Sequence, residues 1–192
     1  MSQYPNAAAG LKKVFISKII AIVAAVLAVI PIIGFIGSIL AIVGFVLYLM
    51  GLKKAGEDAE SYNKAVTLVI VNIVIVIVEI IVAFIPFVGS ILVTLLGAVS
   101  SVVDLMIVNT VITTTGGLLN NVGAVDIAEN GLSIYKMYMI CTVISVICSV
   151  LGLIPLINII SGIVAFVVAI VLIVAWIRYM IYLNNSASAL SE

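Results

Sequence analysis

Three nearly uncharged stretches, residues 19–52, 65–112 and 137–183, carry the same interruption near their middles: Ile30-Pro31-Ile32-Ile33-Gly34, Ile85-Pro86-Phe87-Val88-Gly89 and Ile154-Pro155-Leu156-Ile157-Asn158. Proline stops the helix before it and restricts its predecessor, and a Gly or Asn three positions later suits the left-handed residue of a tight reversal. Each stretch therefore reads as a helical hairpin.

The solvent of those hairpins follows from composition. The chain has 192 residues, of which 66% are hydrophobic and 8% charged, against roughly 25% charged in soluble globular domains. Helices without a polar face need lipid around them. A crossing takes about 20 residues, so the three stretches hold two passes each. The expected fold is all-α: one membrane domain over residues 11–185, with six transmembrane helices in three hairpins at about 14–52, 65–112 and 135–183. The first hairpin allows only about 17 residues per crossing, and a re-entrant hairpin is its alternative. Residues 1–10 are expected to form a disordered tail and 186–192 a second tail. Thr113 to Gly131 reads as the longest loop, and length in a loop points mildly to function.

Charge gives the orientation. All eight basic residues, Lys12, Lys13, Lys18, Lys53, Lys54, Lys64, Lys136 and Arg178, fall at one end of the hairpins, and the three proline turns carry no charge. The positive-inside rule then makes both termini and the two longer connections cytoplasmic in a multi-pass protein of the cell membrane. Tyr48, Tyr62, Tyr135, Tyr138, Tyr179, Tyr182 and Trp176 gather at the basic end as interfacial anchors, against Phe35, Phe84 and Phe87 at the turns. Arg178 is expected to snorkel to the interface.

Two carboxylates lie inside the apolar stretches, where a charge is costly by about 3 kcal/mol at the bilayer centre. These are Glu79 and Asp104. Helical rise places Asn72 at nearly the depth of Asp104, within reach of a hydrogen bond across the second hairpin. Asn72, Glu79, Thr94, Ser101, Asp104 and Asn109 form the candidate intramembrane polar site. Small residues spaced by threes and fours let helices approach closely. Gly37, Ala41, Gly44, Gly97 and Gly152 are assigned to such packing. Cys141 and Cys148 are seven apart on one helix, about 10 Å along its axis, which is too far for a disulfide.

Formal net charge is zero and histidine is absent, so neither a nucleic-acid footprint nor an imidazole metal site is expected. No cofactor, metal ligand set or catalytic residue is assigned. The expected partner is the lipid bilayer, with other membrane proteins or a second copy of the chain beyond it. Gly51-Leu52-Lys53-Lys54 leaving one helix and Tyr62-Asn63-Lys64-Ala65 entering the next resemble a class of small multi-pass prokaryotic membrane proteins built from repeated hydrophobic hairpins. That class has no assigned activity, so the resemblance implies no site residue. Two functions remain. The first is a non-enzymatic scaffold or accessory subunit acting through helix packing and short loops. Its alternative is a small channel or proton-linked transporter that uses Glu79 and Asp104.

Overall fold

The computed structural model describes residues 3–30, 34–86 and 88–192. These form an all-helical protein with six helices: α1 (Pro5–Ala28), α2 (Gly34–Ala55), α3 (Ser61–Val82), α4 (Gly89–Asn121), α5 (Val125–Leu151) and α6 (Asn158–Ser191). Five of them, α2 to α6, are long and apolar enough to cross a membrane. Helix α1 differs by carrying Lys12, Lys13 and Lys18 along its length. Each helix packs on the next, α6 returns to α1, and α4 also touches α6, so the six close into a ring.

The proline turns share one bond. The backbone N–H of Gly34, Gly89 and Asn158 donates to the carbonyl of Ile30, Ile85 and Ile154, at 2.8, 3.0 and 3.0 Å. Pro31, Ile32, Ile33 and Phe87 lie outside the described residues. The left-handed residue expected at these turns is not there. Gly34, Gly89 and Asn158 each open the following helix, and Gly123 is the glycine with positive φ among the described residues. Glycine at position 89 answers a close approach instead. A Cβ there would stand 2.7 Å from the Val82 carbonyl oxygen.

Three expectations at the other end need correction. Residues 1–10 are not a disordered tail as far as they are described: α1 starts at Pro5, and Ala7, Ala8 and Gly10 are buried. Proline is well suited to a first helical turn. Residues 186–191 are the end of α6, with Ser186, Ala187 and Leu190 buried. The long loop over 113–131 is mostly helix, because Thr115, Leu118 and Leu119 are packed inside. The chain reverses in a few residues around Gly123, whose φ is 81°. Ala124 N–H bonds the Leu119 carbonyl at 2.8 Å and Gly123 N–H the Asn120 carbonyl at 3.1 Å, the Schellman pattern that ends α4.

The buried core accordingly sits at the end of the ring that carries the termini and the α2–α3 and α4–α5 connections. It contains Leu11, Val14, Leu52, Tyr62, Ile112, Leu119, Ile134, Tyr182 and Leu183. Tyr62 and Thr115, both fully buried, share a hydrogen bond of 2.7 Å between α3 and α4. Tyr62→Phe should remove this bond, leave Thr115 with Tyr182 as its side-chain partner, and destabilise the protein by about 1 kcal/mol, read from thermal unfolding in detergent.

Asp58 ties the first helix to this core. Tyr4, the residue before α1, makes no capping hydrogen bond with its own side chain. Asp58, from the α2–α3 connection, accepts from Ala7 N–H at 2.7 Å and from Asn6 Nδ2 at 2.9 Å. A carboxylate at a helix N-terminus meets unpaired N–H groups and the positive end of the dipole. Asp58 thus caps α1 rather than the α3 helix that follows it in sequence. Asp58→Ala should cost about 1–2 kcal/mol and speed hydrogen exchange at Asn6 to Ala8 first.

The contact between α1 and α2 is built from small residues in sevens. A Cβ on Gly10, Gly37, Gly44 or Gly51 would meet the opposite helix, the nearest atom being Gly51 O at 2.5 Å, Ala24 O at 2.8 Å, Ile20 Cγ2 at 3.1 Å and Gly10 O at 2.8 Å respectively. Gly10, Ser17 and Ala24 of α1 therefore face Gly51, Gly44 and Gly37 of α2 in three antiparallel layers. A strict repeat of seven keeps such a seam together along both helices.

Candidate functional site

Asp104 lies on α4 where the ring has a chamber of about 440 Å³. All six helices line it: Lys18 from α1, Phe45 and Tyr48 from α2, Asn72 from α3, Asp104 from α4, Tyr138 from α5 and Trp176 from α6. A second hollow of about 350 Å³ adjoins it, sharing Asp104, Val108, Tyr138 and Trp176 and adding Ser101 and Thr142. The walls are otherwise apolar, mostly Val and Ile of α3 and α4.

A short relay of hydrogen bonds fixes the carboxylate. Ser100 Oγ donates to Asn72 Oδ1 at 2.7 Å, and Asn72 Nδ2 donates to Asp104 Oδ1 at 2.7 Å. Ser100 and Asp104 are one turn apart on α4, so one face of that helix supplies both ends. The bond between Asn72 and Asp104 is the one that helical rise placed within reach. Lys18 is held differently. Its ammonium sits 4.5 Å from the centroid of the Tyr48 ring, within cation–π distance. Lys18 and Asp104 are in electrostatic reach of each other. The ion pair found among the described residues is Lys54 with Glu57, at 2.6 Å on the surface. Lys18 and Asp104 thus face one space without closing on each other.

The remaining candidates fall elsewhere. Glu79 is not at the chamber. Its Oε1 is buried with no hydrogen-bond partner, and it faces Gly97 of α4. Thr94 bonds the Ser90 carbonyl and Ser101 the Gly97 carbonyl, so both hydroxyls are satisfied on their own helix. Asn109 contributes its backbone carbonyl to Thr113 and lies off the lining. Of the packing assignments, Gly37 and Gly44 are in the α1–α2 seam, and Ala41 lines a groove between those helices. A Cβ on Gly152 would meet the carbonyls of Cys148 and Ser149 in its own preceding turn and stand 3.6 Å from Ser161 Oγ. Gly97 is not a close backbone contact: its nearest neighbour would be Glu79 Oε1 at 4.0 Å. Gly97→Ala should therefore change stability by less than about 1 kcal/mol.

In the sequence Lys18 reads as orienting charge and Tyr48, Tyr138 and Trp176 as interfacial anchors, and Ser100 is not singled out at all. One signal at Lys18 was available. It interrupts an apolar run, Phe15-Ile16-Ser17 before it and Ile19-Ile20 after it, more than a turn beyond Lys12 and Lys13. Arg178 also has a partner in place of free snorkelling, donating to Asn130 Oδ1 at 3.0 Å. The two cysteines are free and buried.

Five apolar helices of spanning length are those of a multi-pass helical membrane protein. No family model, curated protein or solved structure matches the chain. The resemblance to hairpin-repeat membrane proteins has no support from those comparisons.

Proposed function

We propose that this is a non-enzymatic protein of the cell membrane with six spans in three hairpins and both termini cytoplasmic, and that it carries a small polar solute by way of Asp104. The observation behind the reading is the chamber: one carboxylate, one ammonium and an oriented amide converge from α4, α1 and α3 on a space that every helix helps to line. Intramembrane charges that face an internal cavity mark solute and ion pathways. The exposed surface agrees with lipid around the turn half of the ring, where Phe35, Phe84, Leu156 and Ile159 stand out from the fold. Helices α4 and α6, at 33 and 34 residues, are about 50 Å long against a hydrocarbon core of about 30 Å. Their excess length supports a folded cap in water at the basic end, where the buried core lies.

The scaffold reading keeps one observation of its own. The glycine seam and the packed cap build a rigid body whose making needs no solute. Solute-driven swelling of proteoliposomes separates the two. In a panel of salts, amines, carboxylates and amino acids, the carrier reading expects at least one solute to enter faster than into protein-free vesicles. Asp104→Asn should remove that entry and Glu79→Gln should retain it. Swelling no faster than the lipid control across the panel favours the scaffold.

Topology has its own test, in a background lacking Cys141 and Cys148. Glu57→Cys and Glu129→Cys should resist an impermeant thiol reagent applied to intact cells and react after lysis. Labelling of either position from outside would reverse the assigned orientation.

A further inference from the structure

We infer that the solute of the Asp104 chamber is a small zwitterion of the amino-acid or betaine type, with its cationic group at Asp104 and its carboxylate at Lys18; the inference rests on the carrier reading above. Opposite charges in a low-dielectric space attract strongly, and a flexible lysine ordinarily closes on a carboxylate within reach. Here each charge is kept by a neutral partner instead, Asp104 by the Asn72 amide and Lys18 by the Tyr48 ring. The Ser100 hydroxyl occupies Asn72 Oδ1, which fixes the amide with its N–H toward Asp104. A molecule bearing both charges completes such a pair with no net charge added to the membrane interior. A lone cation would bring Asp104 its counter-ion but leave Lys18 unmatched and repelled, and a lone anion would do the reverse. The aromatic rings of Tyr138 and Trp176, which line both hollows beside Asp104, suit an ammonium or trimethylammonium group. A chamber of about 440 Å³ has ample room for a molecule of amino-acid size.

Calorimetric titration of the full chain in lipid nanodiscs tests this with the standard α-amino acids and glycine betaine, and with butylammonium and butyrate as singly charged controls. At least one zwitterion should bind, and both controls should bind roughly thirtyfold more weakly or worse. Lys18→Met and Asp104→Asn should each weaken the zwitterion by a similar factor. Lys12→Met, at a lysine that bonds Asn184 away from the chamber, should not. The comparison of probes on the unaltered chain decides the matter even where a variant fails to fold. Butylammonium binding as tightly as any zwitterion, with Asp104 required and Lys18 dispensable, would overturn the zwitterion and leave the carrier reading standing. Absence of any Asp104-dependent binding, together with swelling no faster than lipid alone, would overturn both.

Discussion

Replacing Gly10 with leucine should unfold the first two helices from each other and lower the stability of the detergent-solubilised protein by about 3 kcal/mol or more. Even a methyl group at position 10 would stand 2.5 Å from the Gly51 carbonyl oxygen and 2.6 Å from the Ala55 nitrogen. Both are backbone atoms, so no side-chain rotation relieves the clash. The helices must separate, and Ser17 against Gly44 and Ala24 against Gly37 would lose contact in the layers beyond. Gly162 is the control, because nothing lies within 4 Å of a Cβ there. Gly162→Ala should be neutral or slightly stabilising, since alanine is the better helix former by about 1 kcal/mol. Thermal unfolding followed by helical dichroism measures both. Equal midpoints for Gly10→Leu and Gly162→Ala would remove the seam as a determinant of the fold.

That seam was half legible. The glycines of α2 stand at 37, 44 and 51 and mark a close-packed face by spacing alone. Their partners on α1 are a glycine, a serine and an alanine, a mixture that no single-residue pattern announces. The same contrast holds across the molecule. Helical character and the three proline reversals follow from local chemistry, and so does the meeting of Asn72 with Asp104, since a hairpin fixes the relative depth of its two helices. The continuation of α4 to Asn121 does not, because Thr113 to Gly117 are poor helix formers and burial of Thr115, Leu118 and Leu119 overrides their preference. Glycine at a turn was likewise read as conformational freedom, whereas at position 89 the need is for room beside Val82. The chamber was least legible of all. Lys18 faces Asp104 only because α6 closes back on α1. Ring closure is a tertiary event, and no spacing within either segment encodes it.

Charge compensation between those two residues gives the second large effect, and it is a statement about pairs. Asp104→Leu removes the acceptor of the Asn72 amide and the carboxylate in electrostatic reach of Lys18 together, leaving the ammonium with the Tyr48 ring alone. A cost of about 2 kcal/mol is expected, that of losing the charged hydrogen bond between Asn72 and an exposed carboxylate. Lys18→Met should also destabilise, by less, because the Asn72 bond to Asp104 survives and the methionine refills the space beside Tyr48. The double variant Lys18→Met with Asp104→Leu exchanges both charges for apolar groups of similar size. It should be more stable than Asp104→Leu alone, although its chamber would bind no charged solute. The four proteins form a thermodynamic cycle whose coupling energy isolates the interaction from the separate effects of each change. Additive effects, with the double variant as unstable as the sum of the single ones, would mean that Lys18 and Asp104 act independently and that the chamber is two unrelated polar sites.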